Sequence, residues 1–280
     1  MKKFSIAFAL FLGFPAFVFA ASLSITPERP LQGEPVMMVV EGAGIPDIWS
    51  ATFSLKPVSF FLYRGKPTAL VAVDLGARVG EYEAKLRLKS GETLRKKITV
   101  FRREKITAPL GIPQKLGGNT KPAQDNLVTL LSKENMLLAK AKTTSLPWWG
   151  TPFTFPLAKT DVVDSYGYTR HTGSYSIPHK GVDFRAESGT DVTAINAGVV
   201  RLAREFVVYG KTVVIDHGGG VSSLSLHLSK ILVRERERVA QGQTIGLSGE
   251  SGYALGPHLH LSVRVGGISI DPMKFFELFD

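Results

Sequence analysis

The 280-residue sequence contains no cysteine, and this absence excludes several kinds of chemistry. Without thiols the chain forms no disulfide and offers no thiolate metal ligand, cysteine nucleophile or lipid-modified cysteine. A metal site would have to use histidine, aspartate or glutamate. Histidine is also scarce, with six in the chain and none before position 171. Candidate chemistry is therefore expected in the C-terminal part of the sequence.

Long apolar runs are absent after the first twenty residues. Residues 1–20 combine Lys2 and Lys3 with an apolar run that Pro15 interrupts and that ends at Ala20. The pattern predicts a secretory signal peptide cleaved after Ala20. A membrane anchor is the alternative, because the run of about 17 residues is near the lower limit for a span. We expect an exported mature protein, in the periplasm or alternatively secreted to the cell wall, without stable membrane insertion.

The sequence also lacks a recognisable aromatic and basic nucleic-acid motif, although the chain is basic. Its formal charge is +10 at pH 7, and +8 once Lys2 and Lys3 are removed. For an exported protein this charge favours an anionic envelope polymer or a membrane surface as partner. We therefore expect no nucleic-acid partner. Hydrophobic residues make up 44% of the chain, enough for a sizeable core. The length of 280 residues suits one large domain or two ordinary ones.

The rest of the sequence is mainly β in character. Short candidate strands separated by turn residues fill positions 22–102, and apolar and charged residues alternate along 80–88, the period of a half-buried strand. This pattern predicts a small Ig-like β-sandwich without catalytic side chains. A second set of candidate strands, with glycine-marked turns, is predicted to form antiparallel sheets. The predicted organisation is a signal peptide (1–20), an Ig-like β domain (21–103), a linker (104–156) and a C-terminal antiparallel-sheet domain (157–280).

The linker is predicted to contain one helix, over residues 123–142. Asp125 or Asn126 is a candidate cap for its N-terminus. One apolar side of this helix would consist of Leu127, Leu130, Leu131, Met136 and Leu138.

A strap rich in proline and aromatic residues follows at 143–156. Its Trp148 and Trp149 are predicted to pack on a neighbouring domain. The alternative is that they form a lip of a substrate groove.

Three stretches of the C-terminal part place histidine on the polar side of a candidate strand, where alternate side chains share a face. In HLHLSVRV this face carries His258 and His260, followed by Ser262 and Arg264. In SSLSLHLS it carries His227 and three serines, one of which is Ser225. In HKGVDF it carries His179 and Asp183. If the three faces converge, four imidazoles and one carboxylate meet in a groove.

Such a cluster suits a catalytic zinc ion. Catalytic zinc takes three protein ligands from histidine and carboxylate and leaves a fourth position for water, whose pKa falls toward about 7. Further histidines can take a proton or stabilise an oxyanion. Each motif alone is weak, since a lone histidine is more often structural. The informative signal is the ordered combination of HxxxD, a downstream His-Leu and GxSG…GPHLH.

The segments HKGVDF, LHLS, GLSGESG and GPHLHLSVRVGG…IDP closely resemble the M23 zinc metallopeptidases, the lysostaphin or LytM-type peptidoglycan endopeptidases. The resemblance covers about residues 165–273. It implies one Zn²⁺ per chain with His179, Asp183 and His260 as ligands, and His227 and His258 as catalytic residues. It also implies an open groove, a peptidoglycan peptide as substrate and hydrolysis of its cross-links by a metal-activated water. We expect a monomer.

Two residues near these motifs are candidate substrate contacts. Arg170 corresponds to an arginine upstream of the first ligand and alternatively only braces the groove. Ser225 stands where many relatives carry an aromatic residue, usually tyrosine, which bears on substrate preference. His171 and His217 match no catalytic position, and the turn at His217 is interpreted as structural.

Alternatives to an active hydrolase remain at this point. A catalytically idle relative would bind wall peptide or activate another hydrolase. An envelope adhesion or scaffold protein would use the sandwich. The sequence leaves open whether the N-terminal domain covers the groove or tethers substrate, and whether a D-Ala–diaminopimelate bond or a glycine-containing bridge is cut.

Overall fold

The computed structural model describes residues 20–144 and 146–279. The predicted signal peptide, residues 1–20, lies outside this part of the chain except for Ala20. The predicted mainly β architecture is confirmed, and every strand pair but one in the described residues is antiparallel. Among the same residues, no helix combines the length and apolar character that crossing a bilayer requires.

The N-terminal part consists of two four-stranded antiparallel sheets. Their strands are β1 Ser22–Thr26, β2 Pro35–Glu41, β3 Ile48–Phe53, β4 Lys56–Pro57, β5 Phe61–Tyr63, β6 Lys66–Ala72, β7 Gly80–Leu88 and β8 Thr93–Val100. One sheet has the order β1-β2-β6-β5 and the other β4-β3-β7-β8. Met38 of the first sheet and Phe53 and Ala84 of the second share one apolar core. The arrangement is compatible with the predicted Ig-like sandwich.

The segment that follows contains β9 Thr107–Pro109 and α1 Lys121–Leu138. α1 begins before the predicted start because the side chain of Thr120 accepts a hydrogen bond from the Ala123 amide and Pro122 lies in the first turn. The prediction that Asp125 or Asn126 caps the helix is therefore wrong.

The buried side of α1 also differs from the prediction. Leu127 and Leu138 are buried as predicted, but Met136 is 60% exposed. Glu134 is buried instead, and its carboxylate is used in the contacts described below. Apolar spacing alone therefore identified only part of this face.

The C-terminal part is built on an eight-stranded sheet. The elements of the whole C-terminal part are β10 Val162–Asp164, β11 Thr169–Thr172, β12 Tyr175–Pro178, β13 Val182–Arg185, β14 Asp191–Thr193, β15 Gly198–Glu205, β16 Lys211–Gly218, β17 Val221–Leu228, β18 Lys230–Ile231, β19 Arg238–Val239, β20 Thr244–Leu247, β21 His258–Val265, β22 Ile268–Ile270 and α2 Pro272–Glu277. The strand order of the eight-stranded sheet is β10-β13-β21-β17-β16-β15-β19, with β22 also paired to β21. β12-β11-β9 and β14-β20-β18 form two smaller sheets.

Trp149 joins the N-terminal sandwich to the C-terminal sheet. Its ring packs against Phe61 and Tyr63 of β5 on one side and against Phe153 and Phe279 on the other, with ring centroids 4.8–5.5 Å away. Its indole Nε1 is buried without a hydrogen-bond partner. Trp149 thus packs on a neighbouring domain, as the sequence predicts for the strap, rather than forming a lip of the groove.

Trp148 behaves differently from its neighbour. It is 41% exposed, and the guanidinium of Arg238 lies 5.3 Å from its ring centroid. Neither tryptophan lines the groove described below.

We expect Trp149→Ala to lower the free energy of unfolding by about 3–5 kcal/mol, because a large buried ring is lost and a cavity remains. Trp149→Phe should cost much less, since it retains an aromatic ring and removes the unpaired N–H. Urea unfolding of both variants measures the difference. Equal losses for the two variants, or a loss below 1 kcal/mol for the alanine variant, would contradict this account.

His217, at the end of β16, is completely buried. Its Nδ1 lies 2.9 Å from the Ala197 carbonyl oxygen and its Nε2 lies 2.8 Å from the Ser223 hydroxyl. Burial lowers the pKa of His217 to about 4. The folded protein therefore holds this imidazole neutral, which suits the structural role interpreted from the sequence.

The lowered pKa of His217 predicts a pH dependence of stability. Between pH about 6.5 and pH about 4 the unfolded chain protonates this imidazole while the folded chain does not. Its contribution is fully present above pH about 6.5 and is lost as pH falls, by up to roughly 3 kcal/mol. Urea unfolding at pH 7.5 and 4.5 should show a flatter dependence for His217→Gln than for the unsubstituted chain. An unchanged slope would contradict the prediction.

Candidate active site

The site is centred on β21, which lies between β13 and β17 in the large sheet. Leu259, Leu261 and Val263 are fully buried in the core beneath the sheet. His258 and His260 lie on the opposite, groove-facing side. The alternation that the sequence predicts for this strand is therefore what the structure shows. The β13–β21 register then sets Asp183 directly opposite His260.

Three candidate ligand atoms converge at this point. His179 Nε2 lies 3.1 Å from Asp183 Oδ1 and 3.0 Å from His260 Nδ1, and His260 Nδ1 lies 2.8 Å from Asp183 Oδ1. All three residues are largely buried. A Cβ atom on Gly181 would lie 2.4 Å from His260 Nε2. The glycine between the first two candidate ligands, His179 and Asp183, is thus required for the close approach of the His260 ring.

Contacts on the far side of each imidazole fix which nitrogen faces the centre. The Ser165 carbonyl oxygen, 2.9 Å from His179 Nδ1, can only accept, so His179 carries its proton on Nδ1. The Ser262 hydroxyl donates to the Lys180 carbonyl and therefore accepts from His260 Nε2, 3.1 Å away. Both imidazoles consequently direct a lone pair at the centre.

This arrangement fits a zinc ion. Two nitrogen lone pairs and a carboxylate oxygen repel one another unless a cation lies between them. Tetrahedral zinc ligands at about 2.0–2.1 Å from the metal lie about 3.3 Å from each other, slightly more than the separations observed. Burial lowers the pKa of His260, which favours the neutral ligand form.

Arg170 holds the other oxygen of Asp183. Its guanidinium lies 3.2 Å from Asp183 Oδ2 and also contacts Asp164. These contacts leave Asp183 Oδ1 directed at the two imidazoles. The structure thus gives Arg170 the bracing contact, while its contact with substrate stays a prediction.

We expect Arg170→Gln to weaken zinc binding about 10- to 100-fold, because the candidate ligand Asp183 loses the partner that orients it. Competition with a metal chelator measures the affinity. Arg204→Gln is the matched control, since Arg204 forms an exposed pair with Glu235 away from the centre. Equal zinc affinity in the two variants would contradict the bracing role.

His227 reaches the groove through an irregularity in β17. Lys211 pairs with Leu228 and Val213 with Ser225, so β17 carries one extra residue here. The backbone of His227 is left-handed, with φ of 61°. Such a bulge redirects the side chain of the extra residue.

The alternation predicted for β17 is consequently wrong around this bulge. Leu224 and Leu226 line the groove, whereas Ser225 pairs with Leu261 and is only 3% exposed. Ser225 is not among the groove-lining residues, in contrast to the predicted substrate contact. His227 does line it, because the bulge reverses the order of faces after Leu226.

The two further histidines lie side by side next to the ligand atoms. The ring centroids of His227 and His258 are 5.0 Å apart, and His258 Nε2 lies 3.8 Å from Asp183 Oδ1. Their Nδ1 atoms lie 2.9 and 2.8 Å from the carbonyl oxygens of Ser251 and Gly256, respectively. Each Nδ1 therefore carries the proton and each Nε2 is an available base. Burial lowers the pKa of His227 to about 3.

The groove has a volume of about 560 Å³. The linker supplies one of its walls. Leu110 and the α1 residues Leu127, Leu131 and Leu138 line it. The carboxylate of buried Glu134 fixes α1 to the β15–β16 loop by accepting hydrogen bonds from three successive backbone amides, those of residues 207–209. Sequence reasoning missed this wall. The available signal was a glutamate inside the leucine pattern of the helix.

Residues 177–272 match the model of Peptidase family M23. Peptidoglycan DD-endopeptidase ShyA of Vibrio cholerae is 45% identical over 97 residues, which cover 35% of this chain and 23% of that protein. DD-carboxypeptidase/endopeptidase Mpg of Neisseria meningitidis is 35% identical over 120 residues, 42% of this chain and 28% of that protein.

One solved structure extends the comparison beyond the C-terminal part. It is a Pseudomonas aeruginosa crystal structure assigned to peptidase M23, 25% identical, with a TM-score of 0.66. The match covers 88% of this chain and 95% of that one. The C-terminal part of the chain thus contains a peptidase family M23 domain, which carries the His–Asp–His group. The alignments to ShyA and Mpg span only about a quarter of each of those proteins.

Proposed function

We propose that this protein is a zinc-dependent endopeptidase that hydrolyses the peptide cross-links of bacterial peptidoglycan. The observation that carries the proposal is the convergence of three unprotonated ligand atoms, from His179, Asp183 and His260, beside two imidazoles with available Nε2 atoms. The ShyA and Mpg names, both of which include endopeptidase, support the reaction class. ShyA is named for a peptidoglycan DD-endopeptidase activity, which favours the D-Ala–diaminopimelate cross-link over a glycine bridge as substrate here.

One zinc ion per chain would be held by the three ligands. When bound, zinc supplies a Lewis acid that acidifies water and polarises a carbonyl group. His227 and His258 would act around it. The Nε2 atom of one accepts the proton of the attacking water, and the protonated imidazole then stabilises the developing oxyanion or returns the proton to the leaving amine. The low pKa of His227 keeps its imidazole neutral before the reaction, so that Nε2 is unprotonated.

The cellular setting follows from the predicted signal peptide and the substrate. We propose an exported monomer that acts in the periplasm, where it meets the wall peptide without entering a membrane. The arginine- and lysine-rich composition suits an anionic envelope polymer as surroundings.

The function is tested by incubating purified protein with cross-linked peptidoglycan and analysing the released muropeptides by mass spectrometry. We expect one zinc per chain by elemental analysis and the appearance of new amino groups from opened cross-links. Protein stripped with a chelator is the matched control, and activity should return when zinc is restored. Stoichiometric zinc without any cleavage would instead favour an idle relative that binds wall peptide. Absence of zinc binding would overturn the metal centre.

A further inference from the structure

Arg264 lies on the groove-facing side of β21, four residues beyond the ligand His260. At about 3.3 Å per residue, the two Cα atoms are about 13 Å apart along the strand. Ser262 lies between them on the same face. Arg264 therefore stands at the same groove floor as the metal centre but too far away to act on the reacting atoms.

The guanidinium of Arg264 has no partner among the described residues. It takes part in no hydrogen bond or ion pair there, and its Nε is buried without an acceptor. The carboxylate of Glu134, carried by the helix that forms the groove wall, is occupied by the backbone amides of residues 207–209. A largely buried charge that lacks a partner is costly, so an arginine in this state is suited to an anion that arrives from outside.

The surroundings of Arg264 strengthen this argument. Leu138, Leu224 and Leu226 provide an apolar groove surface, in which a charge-assisted hydrogen bond is stronger than in water. Two polar groups also line the groove, the hydroxyl of Tyr209 and the amide of Asn135. The hydroxyl donates to Asn135 Oδ1, which leaves the Asn135 amide nitrogen as a further donor.

We propose that Arg264 forms a carboxylate-binding subsite that anchors the substrate peptide away from the scissile bond, at a strand position whose Cα lies about 13 Å from that of His260. This inference rests on the proposed function, since it names the part of the wall peptide that the groove recognises. An extended peptide that follows β21 spans this distance in about four residues. Wall peptides carry free carboxylates along their length, and the planar guanidinium can bind one with two parallel hydrogen bonds.

The test uses two cross-linked peptide dimers of the same sequence, one with free carboxylates and one with these groups amidated. Binding is measured by isothermal titration calorimetry with full-length His227→Ala protein, so that the peptide stays intact. We expect amidation to weaken binding about 10- to 100-fold, the usual contribution of a hydrogen bond to a charged group. Adding Arg264→Gln should weaken binding of the free dimer by a similar factor and leave binding of the amidated dimer unchanged.

Two further variants separate a lost contact from a damaged fold. Arg264→Lys keeps the charge without the planar fork and should restore part of the affinity for the free dimer. Arg204→Gln, an exposed arginine outside the groove, should bind both dimers like the parent protein. Thermal unfolding of each variant shows whether the fold is intact.

The outcomes distinguish this subsite from the proposed reaction. Equal binding of both dimers by the parent protein, or an equal loss for both dimers in Arg264→Gln, overturns the subsite. Carboxylate-dependent binding without cleavage by the unsubstituted chain would support the subsite and overturn the hydrolysis. Cleavage by the unsubstituted chain without any carboxylate preference in binding would support the hydrolysis and overturn the subsite. Failure to bind either dimer would overturn the subsite, and failure of the unsubstituted chain to cleave either dimer would overturn the hydrolysis.

Discussion

Replacing His260 by alanine is expected to remove stoichiometric zinc binding and to reduce hydrolysis of cross-linked peptidoglycan to the level of chelator-treated protein. The reason is that Nδ1 of His260 is one of only three ligand atoms that the described residues bring together. Two remaining donors do not make the three-ligand site that catalytic zinc requires. Elemental analysis of the purified variant and muropeptide analysis measure the two effects.

The same result is expected for His179→Ala and Asp183→Ala. Asp183→Asn is the most informative of this group, because it retains the side-chain size but removes the negative charge that the centre requires. His171→Ala is the matched control, since His171 is exposed on β11 and bonded to Ser176. Zinc retained in all three ligand variants, or lost equally in His171→Ala, would show that the metal lies elsewhere.

Replacing His227 by alanine is expected to lower turnover by about 10²- to 10⁴-fold while zinc stays bound, the usual contribution of a positioned acid or base. His227 is not one of the converging ligand atoms, and its Nδ1 is already used by the Ser251 carbonyl. His258→Ala should behave in the same way. Zinc content and kcat are measured on the same preparation.

A loss of zinc in His227→Ala before any loss of turnover would show that these roles are assigned wrongly. A second variant, Leu226→Ala, controls for local damage, because Leu226 precedes the bulge and lines the same groove. Leu226→Ala should retain zinc and, because His227 is still present as the base, should not show the loss of turnover expected for His227→Ala.

The sequence was sufficient to predict β21, and the reason is local. That strand runs without irregularity, so alternation correctly placed His258 and His260 on one face and Leu259 and Leu261 on the other. The prediction for HKGVDF was right only in part, because β13 begins at Val182 and His179 precedes it. The same rule failed on β17, because one inserted residue shifts the register. Nothing in SSLSLHLS itself marks His227 as the bulge.

Features that depend on distant contacts were harder to predict. The start of α1 was misplaced because the cap, Thr120, precedes the apolar pattern from which the helix was recognised. Burial of Glu134 depends on amides about 73 residues further along the chain. Neither partner is visible from spacing within the helix.

The hydrogen bonds between the Glu134 carboxylate and the backbone amides of residues 207–209 have a practical consequence for work on fragments. A polypeptide that starts at residue 157 would contain all five histidine and aspartate residues of the centre, yet three main-chain amides would lose their acceptor. Leu131 and Leu138 would no longer flank the cleft. Specificity measured on such a fragment would describe a groove that lacks one wall. Substrate profiling is therefore best carried out on protein that retains α1.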